Sequence, residues 1–343
     1  MKTCLILLCS SVLYLSCETT DSKLSSEALD KIIIPNYGSF GGQDNGSLSV
    51  YFASEDSVHQ DVYSEFNSGK KLGDGPQHAI SSDGKIYVSV VDDSKIVVLD
   101  SETFKEEKEI QTGAGSGPNY LTAWGTDFIY ATDLYADKVL KIDKLSGQIK
   151  KSISVGSKPW QILLSGKYLF VANSGFGGGK TISVIDPTLD TVIKTIDVTY
   201  NPNYMTSTSN FLFVLCSAYS PNSAVLYKID KFSFAKTDSA ILEDSPLSQI
   251  SIEGNQLYYY LGFAGAKSGV KRIDISGKLG KPTDFSSEEG IPFFDNKNHD
   301  MYLIYPGSNG MMTKLIGNTP SRKYKLGVQP TGEALAIYKT LYH

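Results

Sequence analysis

Four histidines, four cysteines and a recurring set of aromatic and amide side chains carry whatever chemistry this chain can perform. The histidines are His59, His78, His299 and His343. Only His78 falls within the recurring set, where it could form a hydrogen bond or ligate the metal of a bound cofactor. No second histidine is expected beside it. Cys4, Cys9 and Cys17 crowd the N-terminus, and Cys216 ends the apolar run Phe-Leu-Phe-Val-Leu-Cys at 211–216, where a buried, unreactive thiol is expected. No CxxCH motif and no Cys/His cluster at metal spacing occurs, which argues against c-type haem and zinc. Asp92 and Asp93 are adjacent, so on a strand their side chains would point apart. No nucleophile stands beside a base. Catalysis and a protein-bound metal are therefore not expected.

The recurring set points to binding. It follows a proline that returns at Pro76, Pro118, Pro159, Pro202, Pro246, Pro292 and Pro330, at intervals of 42, 41, 43, 44, 46 and 38 residues. Behind the prolines stand Gln77-His78, Asn119-Tyr120, Trp160-Gln161, Asn203-Tyr204, Leu247-Ser248, Phe293-Phe294 and Thr331-Gly332. Flat aromatic faces alternate with neutral amides and few formal charges appear. Such a surface suits a large planar or semi-polar ligand held by stacking and hydrogen bonds, or an aromatic contact with a protein partner.

A period of about 40–45 residues identifies the elements that must position these side chains: small β units stacked in a ring or array. The unit from Pro159 reads as strands 160–165, 168–173, 181–186 and 191–198, joined by turns at Gly166-Lys167 and 187–190 and by a glycine-rich loop at 174–179. Four short strands joined by turns form one antiparallel blade. Third strands end on Asp100, Asp143, Asp186 and Asp230, whose carboxylates are expected to cap the following turn. Six units run from Pro76. The segment after Pro330 holds one strand, 334–338, and strands are expected at 32–36, 48–52 and 61–66. Together these four complete a seventh blade and close the ring, which removes exposed edges. The predicted fold is all-β: one seven-bladed β-propeller over residues 31–343. An open solenoid or a ring of six or eight blades is the alternative. The weakest unit follows Pro246, because its fourth strand, 279–286, contains Pro282.

Propeller topology adds a geometric expectation. The first strand is innermost, and the loops entering strand one and joining strands two and three share a face. The residues behind each proline then ring the channel mouth. Asp92, Asp93, Tyr135, Phe176, Tyr219, Phe263, Tyr305 and Tyr37 or Phe40 form a second ring. The expected ligand contacts are Gln77, His78, Asn119, Tyr120, Tyr135, Trp160, Gln161, Phe176, Asn203, Tyr204, Tyr219, Phe293 and Phe294. Trp160, Tyr120 and Tyr204 occupy similar places in consecutive units and should be neighbours. His59 and His299 belong to the opposite face.

The N-terminus reads differently. Lys2 precedes an apolar run from Cys4 to Leu15, and Leu15-Ser16-Cys17 follows. This pattern describes a secretory signal over residues 1–16. It resembles the lipobox of bacterial lipoproteins, which implies lipidation of Cys17 and a flexible tether through residue 30, although Tyr14 replaces the usual aliphatic residue. The formal charge of −5 becomes −6 when Lys2 leaves with the signal. A mildly acidic body does not suit nucleic acid.

The motifs Leu-Phe-Val-Ala-Asn at 169–173 and Ile-Ser-Val-Ile-Asp at 182–186, with the Gly-x-x-Pro spacing seen at 73–76 and 156–159, resemble the YVTN or YncE-like propeller family across residues 31–343. Asn-Tyr-Gly-Ser-Phe-Gly-Gly at 36–42 and Lys-Leu-Gly-Asp-Gly-Pro-Gln at 71–77 resemble a branch of bacterial surface lipoproteins. Some related propellers, of BtuG type, capture cobalamin and pass it to an outer-membrane transporter. The resemblance implies a monomeric envelope lipoprotein, anchored to the outer membrane, that binds a small cofactor-like ligand such as cobalamin and holds no cofactor of its own. An envelope interaction scaffold, or a propeller lyase, lactonase or quinoprotein, are the alternatives.

Overall fold

The computed structural model describes residues 25–39, 41–217, 223–242, 249–262, 268–295 and 297–342. They form seven four-stranded antiparallel sheets. Cys17, Phe40, Tyr219, Pro246, Leu247, Ser248 and Phe263 lie outside the described residues.

Blades two to five open on the repeat prolines, with first strands Pro76–Ser82, Pro118–Trp124, Pro159–Ser165 and Pro202–Ser207. Blade six opens on Ile250–Glu253 and blade seven on Ile291–Phe294. Blade one is composite. The C-terminal strand Leu335–Tyr342 is its innermost member and pairs with Ser25–Asn36, which pairs with Ser47–Phe52, which pairs with Ser57–His59. First strands of neighbouring blades touch around the axis, so the channel is lined as the topology requires.

The near-continuous apolar second strands have a simple cause: both of their faces are buried. Ile32 and Ile34 pack toward blade seven with Tyr302 and Ile304, whereas Ile33 packs toward blade two with Ile86 and Val88. Tyr258 faces Phe294 of blade seven, and Tyr259 faces Phe213 of blade five. Alternation along a strand therefore feeds two inter-blade cores instead of one core and solvent. Each of the seven interfaces has its own apolar cluster.

Two sequence-based boundaries change. Residues 61–66, read as the fourth strand of blade one, form a short helix, Val62–Phe66, because Asp61 accepts a hydrogen bond from the Ser64 amide and the turn buries Val62 and Tyr63. The fourth strand is Ser57–His59, since Val50 pairs with His59. Residues 25–30, read as the end of a tether, are strand, because the C-terminal strand supplies partners as far out as Ser25–Tyr342. In blade six the fourth strand begins only after Pro282, at Thr283–Ser286, as expected for a residue without an amide donor. The third-strand aspartates cap their turns: Asp143 accepts from the Ser146 amide and hydroxyl, and Asp186 and Asp230 do likewise with Thr188 and Ser233.

Candidate functional site

The site is built where each repeat proline interrupts the strand ladder. Pro76, Pro118, Pro159 and Pro202 each oppose the last residue of their second strand, and the register then slips before regular pairing resumes. The slip is a bulge. In two of these blades the amide three residues after the proline reaches the preceding blade. In blade three that amide, of Leu121, donates to His78 Nδ1 at 3.2 Å. In blade five the equivalent amide, of Met205, donates to Gln161 Oε1. His78 and Gln161 are therefore equivalent bridges between blades. With Nδ1 accepting, neutral His78 carries its proton on Nε2.

Asn119 and Asn203 also make contacts within the fold. Asn119 is 1% exposed; its carbonyl accepts from Ser89 Oγ and its Nδ2 donates to the Trp160 carbonyl. Asn203 Oδ1 accepts from Ser217 Oγ. Gln77 is half-buried. Thr132 Oγ1 donates to the Trp160 carbonyl as Ser89 does to Asn119, so second-strand hydroxyls repeatedly bind the first strand of the next blade.

The aromatic residues do come together. His78 and Tyr120 rings lie 4.8 Å apart and Tyr120 and Trp160 rings 6.3 Å apart, with Tyr204 packed against the same cluster. Tyr120 is almost fully buried. Its hydroxyl donates to Glu333 Oε1, and Glu333 Oε2 lies 3.9 Å from His78 Nε2. The indole Nε1 of Trp160 is buried beside Tyr120, and among the described residues it has no partner in hydrogen-bond geometry. Sequence reading missed Glu333. It stands three residues after Pro330, one beyond the pair considered in each unit. Gly332, at φ +81, has no room for a Cβ: one would lie 2.3 Å from Ile291 Cδ1. The signal was the position itself, the same one that Leu121 and Met205 occupy.

Burial sets the electrostatics of this cluster. It pushes the Glu333 carboxyl up to about 8, only partly offset by the Tyr120 hydrogen bond, and pushes His78 down to about 4. At neutral pH Glu333 is mostly protonated and His78 neutral, so the cluster presents hydrogen-bonding groups instead of an ion pair. Burial and Glu333 together raise Tyr120 well above its usual range.

Around the mouth runs an arc of loop side chains. Tyr37 Oη donates to Asp92 at 2.6 Å, Tyr135 Oη reaches the same carboxylate at 3.5 Å, and Lys158 Nζ sits between the Tyr135 and Phe176 rings at 5.9 and 5.7 Å. Tyr135 and Phe176 are 45% and 55% exposed, enough free ring face to stack on a ligand. Phe293 is half-buried beside Tyr302. Phe294 is core: its ring lies 5.0 Å from Tyr258. Blade seven pairs Ile291 with Ile304, which places Gly290 opposite Tyr305, at the marker position. Pro292 is thus two residues late, and the residues behind it are carried down the strand. A cleft of about 650 Å³ between blades two and three lies away from the mouth. It is lined by Asp83, Lys85, Glu107 and Lys144, which are already paired. Among the described residues no three His, Cys, Asp or Glu side chains gather as metal ligands.

No curated protein matches the chain by sequence. Among solved structures, the hydrazine synthase of Kuenenia stuttgartiensis is 18% identical, with a TM-score of 0.64 over 78% of this chain and 95% of its own. A provisionally assigned 6-phosphogluconolactonase from Bacteroides uniformis is 12% identical, with a TM-score of 0.68 over 90% and 99%. A functionally unknown protein from Desulfotomaculum acetoxidans is also 12% identical, with a TM-score of 0.62 over 90% and 98%. Likeness at such identities shows the propeller fold and nothing finer. A sequence-family model described as Domain of unknown function (DUF5074) matches residues 31–289, blade one through blade six. With that span covered, the chain belongs to the DUF5074 family, and its own fold is a seven-bladed propeller.

Proposed function

We propose that this propeller is a lipid-anchored envelope protein, held at Cys17 to the outer membrane, whose mouth captures a small semi-polar ligand for an uptake system. It binds without turnover and as a monomer. A corrinoid of the cobalamin type is the ligand class that the YncE-like and BtuG-like sequence motifs favour. The observation that carries the reading is the two-tier mouth. Exposed Tyr135 and Phe176 offer stacking faces, and beside them the partly exposed His78 Nε2 and Glu333 offer hydrogen bonds without formal charge. Large planar ligands bearing amides or hydroxyls are recognised by such combinations.

Isothermal titration of the purified chain against corrinoids, with haem and oligosaccharides in parallel, tests it. Micromolar or tighter binding of a corrinoid is expected, weakened about tenfold or more by Phe176→Ala, since one stacked aromatic contributes roughly 0.5–1.5 kcal/mol beyond its buried area. No heat with any of the three classes refutes ligand capture.

A further inference from the structure

We infer that the face opposite the mouth is a lipid-contact surface, and that it rests on the bilayer through three apolar turn tips. They are Leu145, Leu189 and Phe232, exposed by 92%, 63% and 73%. Each stands in the turn between third and fourth strands of a consecutive blade: three, four and five.

The turn itself does not demand apolar tips. Its chemistry is the aspartate cap, which uses backbone amides and a Ser or Thr hydroxyl. At the position two residues after the aspartate, blades three and five carry Leu145 and Phe232, whereas blades two and six carry Glu102 and Ser276 after Asp100 and Asp274. Solvated side chains fit there equally well. A contiguous set of large exposed apolar residues on one face marks an interaction surface.

The path of the N-terminal strand says what covers it. Residue 36 lies at the mouth, bridged to Pro330. Five residues back, Lys31 Nζ donates to the Ser101 carbonyl at 3.0 Å, in the third-to-fourth turn of blade two. Residues 25–29 continue past that level, paired with the C-terminal strand. Glu27 forms an ion pair with Lys297, in the first-to-second turn of blade seven. The chain that precedes Ser25 therefore leaves from the face that carries the three tips, at blade one. Blades four and five stand across the ring from it. Resting on the proposed anchor at Cys17, the eight residue steps to Ser25 span at most roughly 29 Å. That keeps this face at the membrane. A tether at one edge and apolar tips at the opposite edge are two separated contacts. Together they hold the axis upright and turn the mouth outward. Leu and Phe tips of this kind bury in the headgroup–acyl boundary.

The test uses the full-length chain expressed in a host that lipidates it. Single Cys variants Leu145→Cys and Phe232→Cys are labelled with nitrobenzoxadiazole, beside Phe176→Cys as the mouth control. Cys216 is fully buried and stays unlabelled. On vesicles of phosphatidylethanolamine and phosphatidylglycerol, dye at 145 and 232 should shift blue and brighten, and dye at 176 should not. Introducing Leu189→Glu with Phe232→Glu should abolish the shift at 145 while leaving the elution volume and melting curve unchanged. Dye at 145 that stays in water on vesicle-bound protein overturns the inference. A blue shift that needs no vesicles and tracks dimer formation also overturns it, because the occupant is then a second copy. Mass analysis of the N-terminal peptide reports separately on the anchor. A chain without lipid refutes lipidation at Cys17, and the tips are then judged by the same dye shifts on added vesicles.

Discussion

Replacing Glu333 by Gln should remove a defined part of the pH dependence of this fold. Burial raises the folded-state value from 4.5 to about 8. A raised carboxyl favours the folded state at low pH, and that advantage is lost as pH climbs from 4.5 toward 8. His78 works in the opposite sense. Burial lowers it from 6.5 to about 4, so stability is gained as pH rises through that interval. The two effects oppose one another up to pH 6.5; above it the unfolded His78 completes its loss of charge and its effect fades. Between pH 6.5 and 8 the unfolded chain holds Glu333 ionised while the folded chain largely retains its proton. At about 1.36 kcal/mol per pH unit for a whole proton, and with the folded Glu333 half ionised by pH 8, Glu333 should cost the parent about 1.5 kcal/mol over that window. Glu333→Gln keeps an acceptor for Tyr120 Oη and cannot ionise. Urea unfolding of both proteins at pH 6.5 and 8 reads the difference directly, and contributions common to both, such as that of His59, cancel. Equal losses in parent and variant would show that Glu333 is not held protonated in the channel, and would remove the uncharged character assigned to the mouth.

Two further predictions concern packing. Gly179→Ala should destabilise the fold by about 1–3 kcal/mol, because a Cβ there would lie 1.9 Å from the Asn173 carbonyl oxygen and 2.6 Å from the Ser174 carbonyl carbon, both backbone atoms; an unchanged melting temperature would contradict the loop geometry. The Cys216 thiol, fully buried and pushed up to about 12, should resist alkylation at pH 8 in the native state and react with the same urea midpoint as global unfolding. Peptide mapping that finds native Cys216 modified within minutes would show that the interface between blades four and five opens locally.

The sequence by itself determined the ring. Period, proline spacing and strands such as Phe-Leu-Phe-Val-Leu are local signals, and they survive because each blade repeats the same contacts with its neighbours. The matched loops after Asn36 and Asn173 even disclosed the split blade. In the structure Asn36 Nδ2 donates to Ser47 and Ser49, and Asn173 Nδ2 to Thr181 and Ser183. Local pattern failed where a segment is governed by a distant partner. Residues 25–30 are strand only because residues 337–342 lie beside them, and Phe294 is core only because blade seven pairs two residues out of step with its proline.

The candidate site was half legible for the same reason. The sequence identified Tyr120, Trp160 and Tyr204 as neighbours, since equivalent places in adjacent blades must be adjacent in space. It could not assign their company. Glu333 reaches Tyr120 across 213 residues of chain, and only ring closure brings them together. His78 and Gln161 looked free to bind because the bulge that aims the neighbouring amides at them is a property of strand pairing. The sequence decided which side chains line the mouth, and the tertiary structure decided which of them are already engaged, because burial and hydrogen-bond partners depend on contacts between blades.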